Sequence, residues 1–135
     1  MLLIICVSPL NLEFAKVEVT SSCANLLVMK TNTSGIIRSS QRWYYTDNMN
    51  CQWNLSSNVK LELVFLHFKT GSSADYVNVH DGGSTSSPLL GTFRGSSLPK
   101  LIMSSSNQLY VTFTTDGSGR SEGFTATYRG KKNSS

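Results

Sequence analysis

Charged side chains are scarce in this 135-residue chain, since Lys, Arg, Asp and Glu make up 15% of it, against about 25% in an average soluble domain. The net charge is +4, and apart from Lys131 and Lys132 the basic residues are scattered along the sequence. A nucleic-acid-binding protein gathers Lys and Arg into a strip that follows the phosphates. The sequence therefore predicts no nucleic-acid partner.

Long apolar runs are also missing. The run Leu2–Val7 at the N-terminus is far shorter than the roughly 20 residues that a membrane-spanning helix requires, so no membrane span is predicted. Because this run follows Met1 directly, residues 1–20 are predicted to be a signal peptide or an N-terminal extension. An ordinary first strand or a truncated gene model is the alternative.

Cysteine is rare: the chain has three, and Cys6 falls inside the apolar run. Cys23 and Cys51 remain as an even pair, as expected in an oxidising compartment, with 27 residues between them. A disulfide closing such a loop contributes about 3–4 kcal/mol in the loop-entropy model; two unrelated buried thiols are the alternative. His67 and His80 supply no metal-ligand spacing beside these cysteines.

Three Asn-x-Ser/Thr triplets mark candidate N-glycosylation sites, at Asn32, Asn54 and Asn133. Each triplet alone is weak in a chain rich in Ser and Asn. Together with the cysteine pair they favour a secreted or cell-surface glycoprotein.

Four runs of alternating or mostly apolar residues predict β-strands, at 59–68, 76–80, 108–114 and 123–128. β-branched and aromatic residues fill them, and Gly/Ser/Asp turns separate them. No stretch shows a sustained helical period, an internal repeat or a second domain, so the chain is predicted to be a single all-β sandwich or barrel. The alternation turns two sets of side chains inward: Leu109, Val111 and Phe113, then Phe124, Ala126 and Tyr128.

The sequence lacks the pattern of a nucleophilic enzyme. No Gly-x-Ser-x-Gly stands between a strand and a helix, and Ser118 lies between two glycines in a turn. His67 sits in an apolar strand and is expected in the core or at an edge, while His80 is expected at the surface. A triad needs Ser, His and a carboxylate in one hydrogen-bonded chain. The chain is therefore predicted not to be an enzyme.

Five ordered motifs carry a resemblance to a known family. They are Cys23 … Gly35-Ile36-Ile37 … Tyr45 … Cys51-Gln52-Trp53-Asn54-Leu55, then Asp75–Gly82, Ser87–Phe93, Ser104–Phe113 with Asp116, and Gly123–Tyr128. In this order they resemble a CUB domain over residues 23–128, which leaves 129–135 as a short C-terminal tail. The resemblance implies a jelly-roll-like sandwich of two antiparallel sheets, each of about five strands.

The resemblance also implies a Cys23–Cys51 disulfide, the first of the two bridges usual in the family. The second bridge has no counterpart, because Ser72 or its neighbour Ser73 and Arg94 stand where its cysteines would be. Both cysteines are absent together, so no unpaired thiol is left. We expect the fold to persist with less rigidity near Arg94.

Many CUB domains bind calcium through a glutamate and two aspartates, and the two aspartates match Asp75 and Asp116. The glutamate has no match in the short loop 69–74, which carries Lys69 instead. Because calcium takes 6–8 oxygen ligands, a weak, partial site is the most that these residues predict. The alternative is that both aspartates cap turns.

By function, the resemblance implies an extracellular recognition module that binds a protein, as one unit of a mosaic or alone. One alternative is a lectin-like glycan binder, with Trp43, Tyr44 and Tyr45 stacking on sugars; these three side chains could instead pack at the end of the sandwich. Another is an accessory domain of a secreted protease.

Overall fold

A computed structural model describes residues 27–30, 34–40 and 43–131, with only the backbone course for 27–30. Within these ranges the chain forms nine strands and no helix. The strands are β1 (Leu27–Lys30), β2 (Ser34–Arg38), β3 (Asn50–Ser56), β4 (Lys60–Lys69), β5 (Tyr76–His80), β6 (Leu89–Phe93), β7 (Ile102–Met103), β8 (Gln108–Thr114) and β9 (Gly123–Lys131).

Two sheets form the sandwich: a five-stranded sheet in the order β1-β3-β8-β5-β6 and a four-stranded sheet in the order β2-β9-β4-β7. Every pairing is antiparallel except that of β1 with β3. Neighbours in a sheet are mostly distant in sequence, so chain connections cross between the two sheets. The predicted all-β sandwich is confirmed.

The predicted strands agree closely with the observed ones: 76–80 and 108–114 match β5 and β8, and 59–68 is displaced from β4 by one residue. β9 begins where predicted but runs to Lys131, three residues past the predicted end of the domain, because 129–131 pair with 60–62 of β4. The inward-facing sets of the last two predicted runs are confirmed: Leu109, Val111, Phe113, Phe124, Ala126 and Tyr128 are all at most 2% exposed.

The core lies between the sheets and is rich in aromatic side chains. Trp53 of β3 meets Phe124 of β9 edge to face, with ring centroids 5.5 Å apart. Phe124 also meets Phe113 at 5.5 Å and Phe65 at 5.7 Å. Edge-to-face pairs add about 0.5–1.5 kcal/mol beyond the burial of area. Phe124 thus joins β8 and β4 through one ring and holds the two sheets together.

No helix in the described part of the chain is long and apolar enough to cross a membrane.

Candidate functional site

Three segments meet at one end of the sandwich: residues 43–49 before β3, the β4–β5 loop and the β8–β9 loop. Tyr45 N donates to Ser121 O at 3.0 Å, and Asn48 N donates to Asp116 O at 2.8 Å. This end holds both aspartates that the resemblance assigns to calcium. The loop-end cluster, as we name it, consists of Tyr45, Gly71, Ser72, Asp75, Asp116 and Ser118.

Asp75 is the buried centre of the loop-end cluster, at 0% exposure. Its Oδ2 accepts the Tyr45 hydroxyl at 2.6 Å, and its Oδ1 accepts the backbone N–H of Asp116 at 2.9 Å. The Tyr45 oxygen accepts in turn from Gly71 N at 2.7 Å. Burial and the hydrogen bond to Asp75 raise the pKa of Tyr45 well above its ordinary value. The hydroxyl therefore stays protonated and keeps donating to the carboxylate.

The carboxylate of Asp116 also accepts hydrogen bonds from residues of the loop-end cluster. Its Oδ1 accepts Ser118 N at 3.1 Å, which closes an Asx-type turn, and its Oδ2 accepts the Ser72 hydroxyl at 3.3 Å. Turn capping therefore describes Asp116, whereas the carboxylate of Asp75 accepts its hydrogen bonds from two other segments of the chain.

The β4–β5 and β8–β9 loops touch at a pair of glycines. A Cβ built on Gly71 would lie 1.5 Å from the Gly119 carbonyl oxygen, and Gly119 itself has φ +80°. Only glycine at 71 permits this approach, and a φ in this region favours glycine at 119. This contact brings Gly71 N within reach of the Tyr45 hydroxyl.

Two carboxylates supply only part of the 6–8 oxygen ligands that a calcium ion takes. Each oxygen of Asp75 and Asp116 accepts one hydrogen bond within the cluster. Lys69, at the start of the loop that lacks the glutamate, lies 3.9 Å from Glu122. Across the described ranges no group of three or more His, Cys, Asp or Glu could hold a metal.

Hydrogen bonds join the two segments that the missing second disulfide would have linked. Arg94 Nη1 donates to Ser73 O at 2.6 Å, and its guanidinium lies 5.4 Å from the centre of the Tyr76 ring. Thr70 N donates to Gly95 O at 2.8 Å, while Gly95 N donates to the Thr70 hydroxyl at 2.7 Å. The sequence placed Arg94 at this position but gave no sign of its contact with Ser73.

The two histidines lie apart from any nucleophile–base arrangement in the described structure. His67 is half exposed, and its Nε2 lies 2.7 Å from Glu122 Oε1. His80, expected at the surface, is buried at 8% exposure, with Nδ1 2.9 Å from the Ser87 carbonyl oxygen. That expectation was wrong because the 81–88 loop folds back over the strand end, where Asp81 N donates to Pro88 O.

The three consecutive aromatic residues differ in their exposure to solvent. Tyr45 is buried at 1%, whereas Trp43 is 89% and Tyr44 is 59% exposed. Trp43 and Tyr44 line an open cleft of about 390 Å³, whose other walls are Ser40, His67, Glu122, Phe124 and Thr125. Packing at the end of the sandwich therefore describes Tyr45, whereas stacking on sugars stays a prediction for the exposed Trp43 and Tyr44.

Of the predicted extracellular features, several lie outside the described residues: the segment 1–20, Cys23, Asn32 and Asn133. Cys51 is buried and disulfide-bonded. Asn54 lies within β3 at 8% exposure, and its Nδ2 donates to Gly83 O at 3.4 Å. A glycan on Asn54 would have to displace the Gly83 segment that covers this side chain.

The described residues form a two-sheet β-sandwich, and the loop-end cluster lies at one end of it. The CUB domain family model matches residues 11–128, and the chain belongs to this family. The match ends at residue 128 and begins inside the segment predicted as a signal peptide or extension. CUB domains are generally non-catalytic and occur as interaction modules in extracellular proteins.

Similarity to individual proteins supports the assignment to this family. Cubilin of Sus scrofa is 36% identical over 115 residues, which cover 78% of this chain and 3% of cubilin. Astacin-like metalloendopeptidase of Gallus gallus is 32% identical over 131 residues, covering 90% of this chain and 32% of that protein. The chain thus spans a third or less of these relatives.

Among solved structures, the CUB1-EGF-CUB2 domains of rat MASP-1 superpose with a TM-score of 0.71 at 25% identity, covering 81% of this chain and 44% of that one. The MASP-1 CUB2 domain described as bound to Ca²⁺ gives a TM-score of 0.66 at 22% identity, over 75% of this chain and 96% of that one. At that identity the second likeness shows the shared fold alone.

Proposed function

We propose that the chain is a non-catalytic, extracellular module that recognises a protein partner. The observation that carries this proposal is the exposure of Trp43, 89% accessible beside the 59% accessible Tyr44. Tryptophan and tyrosine are enriched among the residues that contribute most to binding at protein interfaces. Two adjacent, exposed aromatic side chains on a folded domain are suited to anchor a partner.

The length of the relatives supports a place in a larger assembly of domains. Cubilin and the metalloendopeptidase are both much longer than this chain, so we propose that the module is one unit of a mosaic protein. The 32% identity to the astacin-like metalloendopeptidase supports the more specific alternative of an accessory domain attached to a secreted protease.

We further propose that Cys51 pairs with Cys23 and that Asn32 and Asn133, not the buried Asn54, carry any N-linked glycan. Non-reducing peptide mapping of the protein secreted from cultured cells tests both statements. The expected result is a linked Cys23–Cys51 peptide with unmodified Asn54 in the folded fraction. A free Cys51 thiol in that fraction would contradict the extracellular assignment.

Binding to an array of extracellular proteins, with wild type and Trp43→Ala compared, tests the main proposal. We expect at least one specific interaction that weakens about tenfold or more in Trp43→Ala, the size of loss typical of an interface anchor. Lys100→Ala, at another exposed position, is the matched control and should bind normally. Interactions that Trp43→Ala leaves unchanged would remove Trp43 as the anchor.

Glycan binding is the second candidate, favoured by the cleft beside Trp43 and Tyr44. Aromatic faces there adjoin the His67 imidazole and the Glu122 carboxylate, which together could stack on a sugar ring and hydrogen-bond to its hydroxyls. A glycan array run with the same two variants separates the candidates. Trp43-dependent binding to a neutral glycan, without binding to any protein, would favour this second function.

A further inference from the structure

The proposed function leaves the outer face of the four-stranded sheet unused. Ile37, Leu63 and Ala126 point into the core at 0% exposure, so their neighbours along β2, β4 and β9 point outward. The pairings align the outward residues in rows across the sheet. Thr125, in the outward row of His67 and Arg38, also lines the Trp43 cleft.

Apolar side chains occupy the middle of this face. Ile36, Thr127 and Val64 form one row across β2, β9 and β4, and Ile36 is 42% exposed. Leu66, at the bulge of β4, is 59% exposed, and Met103 on β7 is 40% exposed. Exposed apolar side chains that gather on one sheet face are typical of an interaction site.

Cations surround this centre. Of the eight Lys and Arg side chains described, five lie on the face: Arg38, Lys60, Lys69, Arg129 and Lys131. Of the six described Asp and Glu side chains, two do, Glu62 and Glu122; the others, Asp47, Asp75, Asp81 and Asp116, lie in loops. Charge is therefore segregated, with most cations on one face and most carboxylates away from it.

The carboxylates on the face are already neutralised. Glu62 is buried at 4%, with Arg129 Nε at 2.9 Å and Lys131 Nζ at 4.0 Å. Glu122 lies 2.7 Å from His67 and 3.9 Å from Lys69.

Arg38 and Lys60 make no ion pair with any carboxylate in the described ranges. Both side chains are exposed. The face thus presents an excess of positive charge to an incoming ligand.

The cations lie at both ends of the apolar centre, with Lys60 and Lys131 at one and Arg38 and Lys69 at the other. From Lys131 to Thr125, in the row of Arg38, is six residues of β9, which span about 20 Å at the rise of a β-strand. An extended peptide of about six residues has the same length. A sulfated polysaccharide or a nucleic acid would satisfy the cations but would offer nothing to Ile36, Val64 and Leu66.

We propose that this face, named the basic sheet face, docks an extended, acidic protein segment whose apolar side chains cover Ile36, Val64 and Leu66. Acidic side chains at its two ends meet Lys60 and Lys131 at one end and Arg38 and Lys69 at the other. This proposal rests on the proposed protein-binding function and specifies the chemistry of the partner. Because the face continues into the Trp43 cleft, the same segment can reach the exposed tryptophan.

Fluorescence anisotropy with two labelled octapeptides tests the docking. One peptide has two Glu residues at each end and four Leu residues in the middle, as the proposal requires, and the other has Lys in place of each Glu. We expect the acidic peptide to bind and to weaken at least threefold between about 0.15 M and 0.5 M salt, because screening reduces exposed charge interactions. Equal binding of the basic peptide, or no binding of the acidic one at about 1 mM, the weak end of measurable affinities, would overturn the proposal.

Variants locate the site on the surface. Arg38→Glu combined with Lys131→Glu should weaken the acidic peptide about tenfold or more, since close like charges oppose binding, and Ile36→Ser should weaken it severalfold. Arg94→Glu makes the same change of charge as each of these two substitutions does singly, at the far edge of the other sheet. It should bind within about twofold of wild type, with the melting temperature of each variant as the folding control. An equal loss in Arg94→Glu would show a general charge effect and contradict the site.

A heparin octasaccharide provides the competing class of ligand. If it binds at least tenfold more tightly than the acidic peptide and Ile36→Ser leaves its affinity unchanged, the face is a site for sulfated polysaccharide and the proposal fails. If the array partners of wild type bind Arg38→Glu/Lys131→Glu normally while Trp43→Ala loses them, the protein-binding function stands and the basic sheet face alone is refuted.

Discussion

At residue scale, the Tyr45 hydroxyl joins two loops through one atom. It donates to Asp75 at 2.6 Å and accepts from Gly71 at 2.7 Å, so removing it leaves a fully buried carboxylate without one donor. We expect Tyr45→Phe to lower the free energy of unfolding by about 1–3 kcal/mol, the range for an unsatisfied buried polar group. Urea denaturation measures this change in the free energy of unfolding. Tyr44→Phe, on the exposed neighbour, is the matched control and should differ from wild type by less than about 0.5 kcal/mol.

Buried tyrosines also set the behaviour of the domain in alkali. Burial raises the pKa of Tyr128 to about 12, and burial with the Asp75 hydrogen bond raises the pKa of Tyr45 further. Above the unfolded pKa of about 10, the folded state holds these protons more tightly than the unfolded state does. The stabilisation is therefore fully present below pH 10 and is lost as pH rises from there.

Urea denaturation between about pH 9 and 11.5 should show this loss, with a slope of about 1.4 kcal/mol per pH unit for each such tyrosine. Tyr128→Phe should have a visibly shallower slope than wild type. A free energy of unfolding that stays flat up to pH 11.5 would refute the assignment of both tyrosines.

The sequence predicted part of the loop-end cluster. Asp75 and Asp116 follow from the family motifs, and each does lie in the cluster. The donors that satisfy them could not be predicted, because Tyr45, Gly71 and Ser72 belong to segments that only the folded chain brings together. Tyr45 itself appeared in the motif without any sign of its partner.

At the scale of strands, Trp53 and Trp43 form a natural pair for comparison. Trp53 on β3 is fully buried against Phe124 on β9, whereas Trp43 is 89% exposed. We expect Trp53→Ala to lower the free energy of unfolding by about 3–5 kcal/mol, as for a large buried aromatic side chain. Trp43→Ala should lower it by less than about 0.5 kcal/mol. Chemical denaturation followed by far-ultraviolet circular dichroism measures both. Similar losses in the two variants would contradict this division between core and surface.

Strand positions could be predicted well because a half-buried strand shows its period directly in the sequence, as 108–114 does. The pairing of the strands could not be predicted, since their register and their neighbours in the sheet depend on contacts between distant segments. The parallel pairing of β1 with β3 and the bulge between Phe65 and His67 have no local signal. The same bulge exposes Leu66 on the face of the sheet that also carries His67. Simple alternation would place these two consecutive residues on opposite faces.

At the scale of the whole molecule, the loop end is organised by its own hydrogen bonds. Because hydrogen bonds among its own residues hold this cluster together and two carboxylates supply only part of a calcium ligand set, we expect no requirement for calcium. The melting temperature should differ by less than about 1 °C between about 5 mM calcium and 5 mM EDTA, since a ligand stabilises only the state that binds it.

The MASP-1 CUB2 domain described as bound to Ca²⁺ is the positive control for this measurement. A rise of several degrees for the present chain on adding calcium would show that the loop-end cluster rearranges to bind the ion.

The family and its general role could be predicted from ordered motifs, whereas the surface could not. Arg38, Lys60, Lys69, Arg129 and Lys131 look scattered in the sequence, and the low net charge gave no reason to expect a basic face. Adjacent antiparallel strands gather them, because positions 38, 69 and 129 come from three separate strands that become neighbours. Charge segregation is therefore a property of the topology, and it becomes visible only in the folded sheet.

The burial of Asn54 has a consequence for the timing of biosynthesis. Its strand is completed by pairing with β8, whose last residue, Thr114, is synthesised 60 positions later. At about 5–20 residues per second, the Asn54-Leu55-Ser56 triplet stays unpaired for about 3–12 s on the proposed secretory route. A sugar added in that interval would keep the Gly83 segment from covering Asn54, so the glycosylated fraction at Asn54 would record how often modification preceded folding.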